Sequence, residues 1–329
     1  MALRVAVIGA GSWGTTVAAI SARNQPTVLW ARRKELADEI AKEHRNSTYL
    51  AGFDLPDALE ATHDLEEAVG DADVVVMAVP SHGFRDVLAE AAPHVRAWVP
   101  VVSLSKGLEQ GTRLRMTEVV NNVLPGHPAG ALTGPNLAKE VMAGHPAAAV
   151  MAFADRRIAE GLQPVFHQRG FRVYTNLDIV GCEIAGVVKN VMAIAAGMAD
   201  GMGFGDNTKA TLMTRGLAEL TRLGVAIGGD PHTFSGLAGM GDLVATCSST
   251  QSRNNHVGRE LGKGRPIGEI IAEMNMVAEG VKSSNVVVEL AEQHGVEMPI
   301  AEQVRAVCHD GKTAEEALLA LLSRTPKPE

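Results

Sequence analysis

Cysteine is scarce: Cys182, Cys247 and Cys308 are an odd number without C-x-x-C spacing. The pattern argues against a disulfide framework and against a structural zinc site, so a reduced compartment is the simpler reading. Aromatic residues make up only 4% of the 329, and the 30 Lys and Arg are outnumbered by 38 Asp and Glu, for a net charge of −8. No broad basic surface is on offer to nucleic acid, and no polybasic anchor to a membrane. Long apolar runs are missing too, because the stretch 187–199 is interrupted by Lys189 and Asn190. The N-terminus enters a strand pattern without a cleavage-site signature, so the expectation is a cytoplasmic protein with no membrane insertion. With 46% hydrophobic and 21% charged residues, the chain reads as ordinary globular protein, and its length predicts two domains with sizeable cores.

What is present begins with RVAVIGAGSWG at 4–14. A β-branched run at 5–8 flows into Gly9, Gly11 and Gly14 at G-x-G-x-x-G spacing, followed by an Ala-rich helical pattern. In such a strand–turn–helix Gly9 permits the sharp turn, Gly11 lets a pyrophosphate approach the backbone, and Gly14 lets helix and strand pack closely. The phosphates would lie at the helix N-terminus. After the second strand pattern at 27–30 come Arg32 and Arg33, where an NAD-preferring site would carry Asp or Glu. Two guanidiniums suit a 2′-phosphate, so NADPH is expected, with NADH still admissible. The alternative is a pair of solvated arginines at the start of a surface helix.

The remaining pattern predicts an α/β protein with an N-terminal Rossmann-type, mostly parallel sheet over 1–181. Apolar runs at 74–79 and 100–104 have the look of strands buried on both faces, and further strands are predicted at 131–133, 147–153 and 171–175. Ser81, His82 and Lys106 follow two of these runs, at the sheet edge where such folds bind ligands. From about Gly181 strand runs give way to helical periodicity, which predicts an all-helical domain over 182–329.

Lys189 is the one charge in the stretch GVVKNVMAIAAG, part of a helix otherwise fit for burial. A desolvated amine can enter general acid–base range; a lysine snorkelling to water is the competing reading. Asp242, in a glycine-rich segment read as a loop, could orient it, or could be a turn residue. Ser252, Arg253 and Asn254 form a polar entry into a helix, suited either to a small phosphate or to a simple N-cap.

Seven segments together resemble the bacterial-type NAD(P)-dependent glycerol-3-phosphate dehydrogenases over nearly the whole chain: GAGSWGTT at 9–16, SLSKGLE at 103–109, LTGPNLAKEV at 132–141, VVKNVMAIAAG at 187–197, LAGMGDLVATC at 237–247, SRNN at 252–255 and VAEG at 277–280. The resemblance implies a second domain like the C-terminal domain of 6-phosphogluconate dehydrogenase, and hydride transfer between NADPH or NADH and dihydroxyacetone phosphate, without a metal. It implies that Ser12, Trp13, Arg32, Arg33, Lys106, Ala138, Arg253, Val277 and Glu279 contact cofactor. Lys106, Gly134, Asn136, Lys189, Asp242, Ser252, Arg253 and Asn254 would meet the substrate, with Lys189 moving the proton, Asp242 supporting it and Lys106 adding positive charge. Asn136 departs from the Ser or Thr more usual there, although an amide can also donate and accept. A homodimer is a frequent state of the family, and the apolar helices allow it, although a monomer would also bury them. Ketopantoate reductases, β-hydroxyacid dehydrogenases and a non-catalytic NADPH sensor are the rival readings.

Overall fold

The computed structural model describes residues 2–274 and 278–325. The chain divides into two compact units, Met1–Glu183 and Ile184–Glu329. Strands and helices alternate through the first: β1 (Val5–Ile8), α1 (Ser12–Ala22), β2 (Thr27–Trp30), α2 (Lys34–Glu43), β3 (Leu59–Thr62), α3 (Leu65–Val69), β4 (Val74–Met77) and α4 (Phe84–Ala91). They continue as β5 (Val101–Ser103), α5 (Met116–Val123), β6 (Ala129–Thr133), α6 (Ala138–Met142), β7 (Ala147–Phe153), α7 (Arg156–Phe166) and β8 (Phe171–Asn176).

The eight strands form one sheet in the order β3-β2-β1-β4-β5-β6-β7-β8, parallel except where β6 meets β7. Apolar residues fill both faces, which is why the strands read as unbroken hydrophobic runs rather than as alternation. In β1, Val5 and Val7 point into one core layer, and Ala6 and Ile8 into the other. Each such fully buried valine or isoleucine contributes about 1.5–3 kcal/mol. The strand order reverses at β1, which lies between β2 and β4, and open sheets of this kind present a ligand crevice at the carboxyl ends of the strands there.

The second unit is helical, and no strand occurs among its described residues. Its elements are α8 (Ile179–Gly201, beginning in the first unit), α9 (Asp206–Ala226), α10 (Pro231–Ser235), a π-helical turn at Leu237–Gly241 and α11 (Asp242–Ser248). Then come α12 (Arg253–Gly262), α13 (Ile267–Glu273), α14 (Glu279–Gln293), α15 (Pro299–His309) and α16 (Ala314–Leu322). Helix α8 is long and apolar enough to cross a membrane, but 89% of its most apolar window is buried inside the protein, as in a core helix.

One reading of the sequence needs correction. The glycine-rich stretch before Asp242 is not a loop but the π turn running into α11; its small residues allow Gly239 to lie where a Cβ would come 2.1 Å from the Phe234 carbonyl oxygen. β3 and the helices α4 to α7 carry no run that the sequence pattern singled out.

Candidate active site

The glycine turn has the geometry its spacing demands. Gly9 sits at φ +119°, where a Cβ would lie 2.9 Å from the backbone of Ala78, and a Cβ on Gly14 would lie 2.0 Å from the Gly9 carbonyl oxygen. Gly11 differs: nothing lies within 4 Å of its would-be Cβ. It is also the N-cap of α1, whose first turn receives no side-chain cap, so unsatisfied N–H groups and the helix dipole face that open side. A pyrophosphate fits this cradle. The turn is braced by Asn46, a buried residue that the sequence reading missed, which donates to the Ala10 carbonyl (2.9 Å) and to the Thr15 hydroxyl (2.8 Å).

Around the cradle, the Ser12 hydroxyl donates to the Tyr49 carbonyl at 2.5 Å. The Arg33 guanidinium lies 5.7 Å from the centre of the Tyr49 ring and reaches the Thr48 hydroxyl at 3.5 Å. Arg32 and Arg33 are both exposed, at the end of β2. Trp13 packs against Phe171, and its buried indole N–H has no protein partner.

A second polar group lies at the ends of β5 and β6. Lys106 donates to the Gly134 carbonyl at 2.9 Å, and Gly134 takes φ +120° against the β7 backbone. Beside it, both polar atoms of the Asn136 amide and the Thr133 hydroxyl are buried without a protein partner. Buried amides are rarely left so, and a ligand is one group that would satisfy them. Ala138 begins α6 and packs on the core. Ser81 and His82, beyond β4, line a separate cavity with Arg85 and Glu109, which are joined by two short hydrogen bonds of 2.6 and 2.9 Å.

In the second unit, Lys189 of α8 is buried at 6% exposure and Asp242 at 2%. The ammonium lies 3.0 Å from Asp242 Oδ1 and donates to Thr246 Oγ1 at 2.7 Å; that hydroxyl donates onward to Asp242 Oδ1 at 3.2 Å. Lys189 does not snorkel to water: it is a buried cation held by a carboxylate and a hydroxyl from α11. Thr246 was not singled out from sequence, although its position four residues after Asp242 places both on one helical face. Cys247 follows it, and burial pushes its thiol up to about 12, the Lys189 charge opposing and Asp242 adding to the rise.

The SRNN run divides by role. Ser252 caps α12, its hydroxyl accepting from the Asn255 N–H at 3.2 Å. Asn255 donates to the Cys247 carbonyl at 2.9 Å. The Asn254 amide donates to Asn190 Oδ1 at 2.9 Å and accepts from the Gly280 N–H at 3.0 Å. These three side chains are buried and bonded inward, whereas Arg253 is exposed. The protein packed around its stem still works against its charge, and the Glu279 carboxylate counters that. Glu279 is the first residue of α14; Val277 lies outside the described residues. No group of three or more His, Cys, Asp or Glu able to hold a metal occurs among the described residues.

Known proteins resemble this chain over nearly its whole length. The N-terminal part of the family described as NAD-dependent glycerol-3-phosphate dehydrogenase matches residues 4–159, and its C-terminal part matches 178–319. Glycerol-3-phosphate dehydrogenase, NAD(P)+, 2 of Sphingopyxis alaskensis is 61% identical, covering 98% of this chain and 97% of its own. The enzyme named glycerol-3-phosphate dehydrogenase, NAD(P)+, from Mycobacterium avium is 57% identical over 99% of this chain and 96% of its own. The crystal structure of glycerol-3-phosphate dehydrogenase from Coxiella burnetii superposes with a TM-score of 0.94 at 38% identity, covering 98% of this chain and 99% of that one. The chain belongs to the NAD-dependent glycerol-3-phosphate dehydrogenase family.

Proposed function

We propose that this chain interconverts dihydroxyacetone phosphate and sn-glycerol 3-phosphate with NADPH or NADH, the first unit supplying most of the residues that hold the cofactor and the second the proton-transfer machinery. The observation that carries the reading is the buried Lys189–Asp242–Thr246 cluster. A buried ion pair of this kind is costly to build and adds little to stability, so a chemical role is the better explanation for it.

Gly9, Gly11, Ser12, Trp13 and Gly14 would hold the pyrophosphate, Arg32 and Arg33 the 2′-phosphate, and Ala138, Val277 and Glu279 the nicotinamide side. When bound, the reduced nicotinamide supplies hydride to the substrate carbonyl carbon. Lys189, as the ammonium, donates a proton to the carbonyl oxygen as negative charge develops there; in the opposite direction the neutral amine takes the hydroxyl proton. Asp242 keeps the cation in place, and Thr246 fixes the direction of its N–H bonds. Lys106 adds positive charge toward the substrate oxygen, with Gly134 and Asn136 lining its approach. Arg253, at the N-terminus of α12, takes the substrate phosphate, whose remote binding energy positions the reacting carbon. The division at 181/182, a cytoplasmic location, a homodimer and supply of glycerol 3-phosphate for glycerophospholipid synthesis complete the reading.

The test is NADPH oxidation, followed at 340 nm, on adding dihydroxyacetone phosphate to purified protein, repeated with NADH and with ketopantoate. Turnover confined to dihydroxyacetone phosphate is expected, faster with NADPH. Turnover with ketopantoate alone, or none at all in protein that binds NADPH, would overturn the proposal.

A further inference from the structure

Glu183, near the start of α8, is a buried carboxylate that the proposed chemistry does not use; it is 7% exposed. One of its oxygens accepts from Arg115 Nη1 at 2.8 Å and from the Thr117 hydroxyl at 2.6 Å, and the other from the Thr117 N–H at 2.9 Å. Arg115 is the N-cap of α5 and Thr117 lies in its first turn, so the carboxylate also faces the positive end of that helix. All three residues belong to the first unit. A buried ion pair is a poor source of stability, because desolvation offsets most of its attraction. What it does supply is fixed geometry, with three bonds converging on one group.

The geometry it fixes is that of residues 104–115, between β5 and α5, the segment that carries Lys106. Arg115 closes the segment, forming an antiparallel bridge with Leu108, and the Glu109 N–H donates to the Leu114 carbonyl at 2.9 Å. The turn between them runs through Gly111 and Arg113 at φ +83° and +62°. Leu104 and Leu108 are its buried apolar side chains, so apolar packing anchors only its beginning. The tip is gripped by charge instead: Arg85 of α4 donates from Nε and Nη2 to the two Glu109 oxygens at 2.6 and 2.9 Å. Such a two-pronged bond fixes direction as well as distance. Lys106 therefore lies on a segment without helix or strand of its own, fastened to α4 by one ion pair and to α8 by another.

We propose that Arg85–Glu109 and Arg115–Glu183 are positioning pairs: they clamp residues 104–115 to α4 and to the start of α8, and so hold the Lys106 ammonium at the Gly134 carbonyl. The proposal rests on Lys106 acting at the substrate oxygen. Misplacement of a reacting group by about 1 Å costs on the order of a hundredfold in rate. Lys106 acts through its charge, whose effect falls off more gently with distance, so the loss of one clamp is expected to cost about tenfold.

The test is a pair of mutant cycles with Lys106→Ala on the full chain. Arg85→Gln and Glu183→Gln are each made in the parent and in Lys106→Ala, and kcat/KM for dihydroxyacetone phosphate with NADPH is measured together with Tm. Each is expected to lower kcat/KM about tenfold in the parent and less than about twofold in Lys106→Ala, because a residue that acts through another is silent once the other is gone. A merely structural role would carry the same loss into both backgrounds. The proposal is overturned if either loss multiplies with that of Lys106→Ala, or if either variant keeps the parent's kcat/KM. Should Glu183→Gln fail to fold, Arg115→Lys, which keeps the charge and gives up the fork, takes its place under the same criteria. Lys106→Ala by itself separates the two ideas. Undiminished turnover there would bring down the role of Lys106 and the clamps with it, whereas a loss there beside silent or multiplying clamp variants would overturn the clamps alone.

Discussion

The two candidate sites treat buried polar groups in opposite ways. In the first, the atoms nearest the expected ligand are left waiting: the Trp13 indole N–H, the Thr133 hydroxyl and both ends of the Asn136 amide are buried without partners. In the second, the buried polar side chains are bonded to one another, Lys189 to Asp242 and Thr246, and Asn254 to Asn190 and Gly280. Glycine follows the same division. Gly9 and Gly134 adopt positive φ so that the chain can turn and Gly11 leaves an opening, whereas Gly197, Gly201, Gly258 and Gly262 let two helices touch. On the proposed reading, the surface that accepts and releases a large cofactor keeps its hydrogen-bonding capacity open, and the site that moves one proton in a fixed direction is assembled in advance.

That contrast can be broken from either side. Gly14→Ala places a methyl carbon 2.0 Å from the Gly9 carbonyl oxygen, so NADPH affinity, measured by nicotinamide fluorescence, should fall by about a hundredfold or more. Arg253→Ala removes an exposed cation from an otherwise satisfied helix start, and should raise KM for dihydroxyacetone phosphate about ten- to a hundredfold with a smaller change in kcat. Arg33→Ala should weaken NADPH about tenfold while leaving NADH within about twofold, as expected for a lost charge-assisted contact to a phosphate.

The smallest effect concerns stability and sits away from the chemistry. Burial pushes the Glu219 carboxyl up to about 7, against the hydrogen bonds it accepts from the N–H groups of Ile300 and Ala301 at the start of α15. Its folded value therefore lies above its unfolded one, near 4.5. Between those values the unfolded chain has lost a proton that the folded chain keeps, so stability falls as pH rises through the window, by about 3 kcal/mol at most. Glu219→Gln should remove that slope. Thermal melting of both proteins from pH 4.5 to 7.5 checks it: the variant should gain on the parent as pH rises, and a constant difference would refute the assignment.

What could be read from sequence depended on whether a signal was local. β1, β2 and β7 have the bounds their apolar runs predict, because strands buried on both faces announce themselves in composition. β3 does not: it is an edge strand, its four residues LEAT running from buried to exposed to half-buried. The crossover helices α4 to α7 are short and amphipathic, and α7 carries Pro164 within it. At the site, Lys189 stands out as a charge in an apolar helix, and Asp242 lies 3.0 Å from it in a segment whose glycines suggest a loop but which is helical. Asn46 carries no signal in the sequence, since it acts through partners 31 and 36 residues away, and Thr246 is marked only by its spacing of four from Asp242.

On the proposed reading, cofactor binding and proton transfer fall to separate sets of residues. Lys189→Ala tests it most directly, with NADPH affinity and turnover of dihydroxyacetone phosphate measured on the same sample. The account predicts affinity within about twofold of the parent and turnover reduced about a thousandfold, the scale of a lost general acid. Turnover near the parent's, or NADPH affinity lost together with turnover in a folded protein, would contradict it.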